Sequence, residues 1–158
     1  MPLLVALVTL LSVVGCGGSS DSEITVQAGA LSKNEFTEKA DAICRAARTE
    51  FLAKFTRFGE ENKSTLLSGN SAKEEAALTK LIGSIVTPNI EGEIAKISQL
   101  GAPEAYAPQA AAFLTALQTK LEKMQDDSSE IGGTPFPFKK AEDAARRAGM
   151  YGCAESFS

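Results

Sequence analysis

Three cysteines (Cys16, Cys44 and Cys153) and no histidine stand among the 158 residues, and that inventory limits the chemistry available. Without imidazole, neither a Ser-His-Asp nor a Cys-His nucleophilic set can be assembled within the chain. A closed zinc site would lack its usual nitrogen ligands. The patterns G-x-S-x-G, G-x-x-x-x-G-K-[ST], S-x-x-K and H-E-x-x-H are absent, which removes common hydrolase, nucleotide-binding and zinc-protease signatures. Carboxylates do occur in pairs, Glu74 with Glu75 and Glu91 with Glu93. Such pairs can do acid–base work, but on a helical surface they read as a solvated face. The run Asp126-Asp127-Ser128-Ser129-Glu130 offers hard oxygen ligands for Ca²⁺ without the spacing or glycine of an EF-hand loop, so it reads as a helix end passing into a polar loop. Lys139, Lys140, Arg146 and Arg147 form a basic stripe suited to lipid headgroups, but Glu142 and Asp143 interleave them. An ion-paired solvated face is the simpler reading. No catalytic residue, cofactor or metal is expected.

The cysteines remain to be explained. Cys16 ends an apolar run, Leu3 to Val14, too short for a hydrocarbon core that needs roughly 20 residues. Its length suits the apolar region of an export signal, which runs roughly 7–15 residues. The stretch Val13-Val14-Gly15-Cys16 resembles a bacterial lipobox, in which a small residue precedes a cysteine that is acylated and becomes the new N-terminus. The resemblance implies that residues 1–15 are a signal peptide, that Cys16 carries lipid, and that the protein sits on the extracytoplasmic face of the cell membrane. No Lys or Arg precedes the apolar run, so either the N-terminal amine is its only charge or translation starts upstream. The other reading, a core segment that happens to end at Cys16, fits poorly because turn chemistry does not bound it on both sides.

An exported chain matures in an oxidising compartment, where the remaining even pair, Cys44 and Cys153, reads as a structural disulfide. A reactive thiol and metal ligation are the competing readings. A bridge closing so long a loop is worth roughly 4–5 kcal/mol in chain-entropy models. The formal net charge of −4 argues against a nucleic-acid partner, which would want a basic field. It argues equally against strong docking on anionic lipid.

These cysteines must be held by helices. Residues 16–31 read as the lipidated cysteine and a flexible tether, whose fifteen residues after Cys16 reach on the order of 20 Å. Residues 32–158 read as one domain. Ser32-Lys33-Asn34-Glu35 is a capping box, flanked by Leu31 and Phe36 as a hydrophobic staple. Phe36, Ala40, Ile43, Ala47, Phe51, Phe55 and Phe58 then recur at spacings of three and four, one stripe of an amphipathic helix that ends at Gly59. Residues 60–70 read as a loop. A second box, Ser71 to Glu74, opens a run through Leu78, Leu81, Ile82, Ile85, Ile90, Ile94, Ile97 and Leu100. Pro88 should kink that run or split it in two. Pro103 suits a first helical turn, and Pro108 should distort the start of the third helix, whose stripe is Tyr106, Ala110, Phe113, Leu117, Leu121 and Met124. The turn-rich GGTPFPF (residues 132–138) leads to a fourth helix at about 137–148, with Gly149 at its C′ position.

The expected fold is therefore all-α, an antiparallel four-helix bundle stapled by one disulfide. The helix carrying FTEKADAIC (residues 36–44), the turn from Leu100 to Pro103 and the closing AGMYGCA (residues 148–154) make the chain similar to small, uncharacterised helical lipoproteins of actinobacteria. That resemblance implies a fold and an address, not an activity. Functionally, a non-catalytic binding or accessory module is expected, anchored through lipid and meeting an envelope protein or an apolar ligand. The alternative is a small-molecule or lipid-binding protein that uses the bundle interior beneath residues 132–138. There Phe136 and Phe138 either close a pocket, form a contact patch or plug the bundle end. A closed core favours the accessory module and a cavity of several hundred Å³ the carrier. An enzyme, which would need a cleft of convergent carboxylates, comes third.

Overall fold

The computed structural model describes residues 24–132 and 138–157. The signal segment, Cys16 and Phe136 lie outside the described residues. The described chain is mostly helical, with seven α-helices joined by one π-turn and one 3₁₀ turn, and one disulfide.

Helix α1 (Lys33–Glu61) starts as its sequence dictates. Ser32 Oγ accepts from the Glu35 N–H at 3.3 Å, and Glu35 Oε2 accepts from the Ser32 N–H at 2.8 Å. Two otherwise orphaned donors are thereby satisfied. Phe36, Ala40 and Cys44 are wholly buried. The helix passes Gly59 and ends at Asn62, whose side-chain amide donates to the Phe58 carbonyl at 2.8 Å. A single turn, α2 (Lys63–Leu66), occupies part of the expected loop.

Helix α3 (Ser71–Leu81) is capped one residue earlier than expected. Asn70 Oδ1 accepts from the Lys73 N–H at 3.1 Å, and Glu74 Oε1 accepts from the Gly69 N–H at 2.9 Å. Ser71 is thus the first helical residue. The run does divide into two helices in series, one of the two outcomes expected, but the irregularity lies before Pro88 and not at it. A π-turn (Ile82–Val86) precedes it, in which the Thr87 N–H reaches back to the Ile82 carbonyl, and α4 (Thr87–Ser98) continues with Pro88 in its first turn. The wider i→i−5 ladder places the missing donor of Pro88 at a new helical start, where it costs little. The junction turns Ile82, Ile85, Val86 and Ile90 into the core.

Helix α5 (Ala107–Asp126) holds Pro108 in its first turn, where its missing donor costs little. Pro103 lies in the preceding turn, its carbonyl accepting from Tyr106 and Ala107. Phe113, Leu114, Leu117, Leu121 and Met124 of α5 are fully buried. Beyond it, Asp127 Oδ1 caps the Ser129 N–H at 2.9 Å and Glu130 pairs with Lys120, so these carboxylates serve the 3₁₀ turn (Ser128–Gly132) and its neighbour. Helix α6 (Lys139–Ala148) buries only alanines (Ala141, Ala144, Ala145 and Ala148), while Lys139 pairs with Asp143 and Arg146 with Glu142 on the outer face. Gly149 ends it in the left-handed region, φ 76°.

A further short helix, α7 (Tyr151–Ser156), was not legible and carries Cys153. Cys44 and Cys153 are bridged, with Cα atoms 4.9 Å apart. Asp41 Oδ1 accepts from the Cys153 N–H at 3.0 Å, a second tie between α1 and α7.

Residues 24–31, read from sequence as tether, lie against the domain instead. Val26 is buried, and Ile24 and Leu31 pack on the core. Ala28 and Ala102 form an isolated parallel bridge: the Gly29 N–H donates to the Ala102 carbonyl at 2.9 Å, and the Ala102 N–H to the Gln27 carbonyl at 2.8 Å. The backbones touch because both partners at the crossing are glycine. A Cβ on Gly29 would stand 2.5 Å from the Gly101 Cα, and Gly101 has φ 75°.

Candidate functional site

The apolar stripe of α1 outlasts its partners. Beyond Cys44 it continues through Phe51, Phe55 and Phe58, yet Phe51 is half-buried and Phe55 is 44 % exposed. The space these rings face is a cavity of about 390 Å³. Leu78 and Leu81 of α3, Val86 of the π-turn and Ile90 of α4 form the opposite wall, and Met124 contributes from α5. Two of its lining residues, Arg48 and Phe55, are exposed to solvent.

Of the two loop aromatics singled out in the sequence, Phe138 is half-buried and lines this cavity. Its ring lies 5.3 Å from that of Phe157, which in turn lies 6.1 Å from Phe113. Phe138 is therefore both a wall of the cavity and a wedge against the core. Cys44 and Cys153 come together as expected.

Sequence reasoning missed Glu93. Read from sequence as part of a solvated face, it is 3 % exposed and lines the cavity, while Glu91 is exposed. A signal existed. Ile90, Glu93 and Ile97 repeat at three and four just as Ile90, Ile94 and Ile97 do, and only the side-chain chemistry favoured Ile94. Glu93 Oε1 lies 3.0 Å from Cys44 Sγ. A disulfide sulfur has no proton to give, so this contact is a hydrogen bond only when the carboxyl is protonated and donates. Burial favours that same form, raising the Glu93 pKa from 4.5 to about 7 against the opposing pull of Lys96.

Cys44 Sγ, Cys153 Sγ and a Glu93 carboxyl oxygen lie within 4.8 Å of one another. That is a close donor set in principle, but the two sulfurs are bonded to each other and supply no thiolate. In the bridged protein the cluster is a disulfide beside a carboxyl that is neutral below a pH of about 7. Elsewhere, the buried Tyr106 hydroxyl donates to the Ala148 carbonyl, and burial pushes its pKa up to about 12, helped by the Asp41 charge. This group is a structural tie between α5 and α6.

The remaining polar lining residues of the cavity are Arg48, Asn89 and Ser156, whose hydroxyl donates to the Gly152 carbonyl at 2.8 Å. Arg48 of α1 donates to the Glu155 carbonyl. Asn89 of α4 donates to the Ala47 carbonyl at 3.0 Å. Glu93 lies one turn further along α4. Around Phe58, Leu66 and Leu78 the walls are hydrocarbon.

Compared with protein-family models, curated proteins and solved structures, the chain finds no match. Among the described residues, no helix is long and apolar enough to cross a membrane.

Proposed function

We propose that this chain is a lipid-anchored, extracytoplasmic helical domain that works by binding an apolar ligand, without turnover of its own. The cavity carries this reading. Its volume of about 390 Å³ falls within the range of small-molecule sites, roughly 300–1,000 Å³, and its walls are aromatic and aliphatic with a few polar groups. Of the two binding readings open from sequence, this observation favours the carrier over the closed accessory module. The anchor rests on the lipobox-like Val13 to Cys16.

The architecture that frames the cavity is an antiparallel four-helix bundle of α1, the continuous α3–α4 run, α5 and α6, clipped by α7. Contacts along the chain support it. Cys44 meets Glu93 while Ala47 meets Asn89, so α4 recedes as α1 advances. Gln125, near the end of α5, donates to Thr87 at the start of α4.

The test is a titration of the full chain carrying Cys16→Ser, so that no attached acyl group competes, with the neutral probe N-phenyl-1-naphthylamine. Saturable one-to-one fluorescence enhancement is expected, abolished by Leu78→Trp with the melting temperature retained. Unsaturable binding that Leu78→Trp leaves unaltered would contradict the reading.

A further inference from the structure

The polar lining of the cavity selects a class of ligand. Arg48 stands at its rim, exposed, with no acidic partner among the described ion pairs. A guanidinium carries five N–H donors in a planar fork, of which the Glu155 carbonyl engages Nη1. The fork matches a planar carboxylate in a bidentate pair, as it does a phosphate, whereas an alcohol or an amine offers no such geometry. Asn89 is fixed beside it, because its amide nitrogen holds the carbonyl of Ala47, the residue preceding Arg48. Glu93 is the one acid in the cavity wall, and burial holds it neutral through most of the acid range, so it sets little negative charge against an anionic head. The second cation nearby, Lys80, lies 5.9 Å from the ring centroid of Phe58, at the far end of the α1 wall. Both cations therefore disfavour an amine.

Size narrows the class further. A volume of about 390 Å³ accommodates about a dozen groups of water or methylene size. From Arg48 to Gly59 the α1 wall extends about 16 Å. That is room for one chain, not for a two-chain lipid.

We propose that the cavity is a binding site for a free single-chain carboxylic acid of medium length, its carboxylate held by Arg48 beside Asn89 and its chain running along Phe51 and Phe58 toward Leu78. This assignment rests on the cavity being a ligand site.

The experiment displaces N-phenyl-1-naphthylamine from the full chain carrying Cys16→Ser, using dodecanoate, dodecanol and dodecylammonium below their aggregation concentrations. Dodecanoate should compete best, about tenfold ahead of dodecylammonium, as a charge-assisted bidentate pair warrants. Arg48→Gln should weaken dodecanoate about tenfold and leave dodecanol unaltered, and Arg48→Lys should recover part of the loss. Equal or better competition by dodecylammonium overturns the assignment, as does an Arg48→Gln effect equal on all three. If the probe and dodecanol bind but dodecanoate does not, the assignment alone fails. If neither the probe nor any of the three binds, the cavity reading fails with it.

Discussion

The Glu93 carboxyl on α4 sits 3.0 Å from the Cys44 sulfur on α1, so an ionisable group is packed directly against the bridge that ties the first helix to the last. Burying a carboxylate there is unfavourable, whereas burying the neutral acid satisfies its one donor on sulfur. Several consequences of the structure are measurable.

Stability should fall with rising pH because of Glu93. Its pKa is raised from 4.5 in the unfolded chain to about 7 in the folded one, so the folded state binds more protons between those values. The favourable term is intact below about 4.5 and is lost as pH rises through about 7, a change on the order of 3 kcal/mol. Glu93→Gln should flatten the profile, stabilising at pH 8 and changing little at pH 4. Urea midpoints of both proteins across that range check it, and parallel profiles would refute it.

The bridge should contribute heavily to stability. Replacing both cysteines by alanine, Cys44→Ala with Cys153→Ala, is expected to cost roughly 2–5 kcal/mol, which lowers Tm by roughly 5–20 °C. In the unreduced, denatured protein no thiol from either position should titrate. Two reactive thiols would contradict the bridge.

The crossing of residues 24–31 over the loop before α5 should depend on Gly29. Gly29→Ala places a methyl group 2.5 Å from backbone carbon of Gly101. The segment must then lift, at roughly 1–3 kcal/mol. Amide exchange should accelerate at Gly29 and Ala102, which donate across this crossing. Unaltered exchange at both would mean the segment contributes no protection.

Phe138→Ala separates wall from wedge. Because the ring is half-buried against Phe157, the loss should be about 1–3 kcal/mol, below the full cost of an enclosed phenylalanine. Affinity for N-phenyl-1-naphthylamine should fall in a chain that remains folded at 25 °C. An unchanged affinity would remove Phe138 from the site.

The helices were legible because their signals are local. The capping box at Ser32, the stripes of α1 and α5 and the glycine after α6 each lie within a few residues of what they specify. The disulfide followed from count and compartment. What escaped depends on partners distant in sequence. Nothing in ITVQAGA announces that residues 24–30 meet Ser98 and Ala102. The π-turn before Pro88 depends on how Ile82 and Val86 must meet the core, not on proline alone. The cavity was legible in part through Phe138, which lines it, but its α1 wall was read only as one stripe of an amphipathic helix. Glu93 was hidden by its own chemistry: a carboxylate on an apolar stripe becomes acceptable only once neutral.

Uptake of an apolar ligand into the space between α1, α3 and α4 is tested most directly by methyl NMR. In the full chain carrying Cys16→Ser, with Leu, Ile and Val methyls labelled, one equivalent of N-phenyl-1-naphthylamine should shift Leu78, Leu81, Val86 and Ile90, which line the cavity. Leu114, Leu117 and Leu121, packed inside the core, should keep their positions. Shifts confined to the exposed Leu52 and Leu67, or no shifts at saturating probe, would contradict the account.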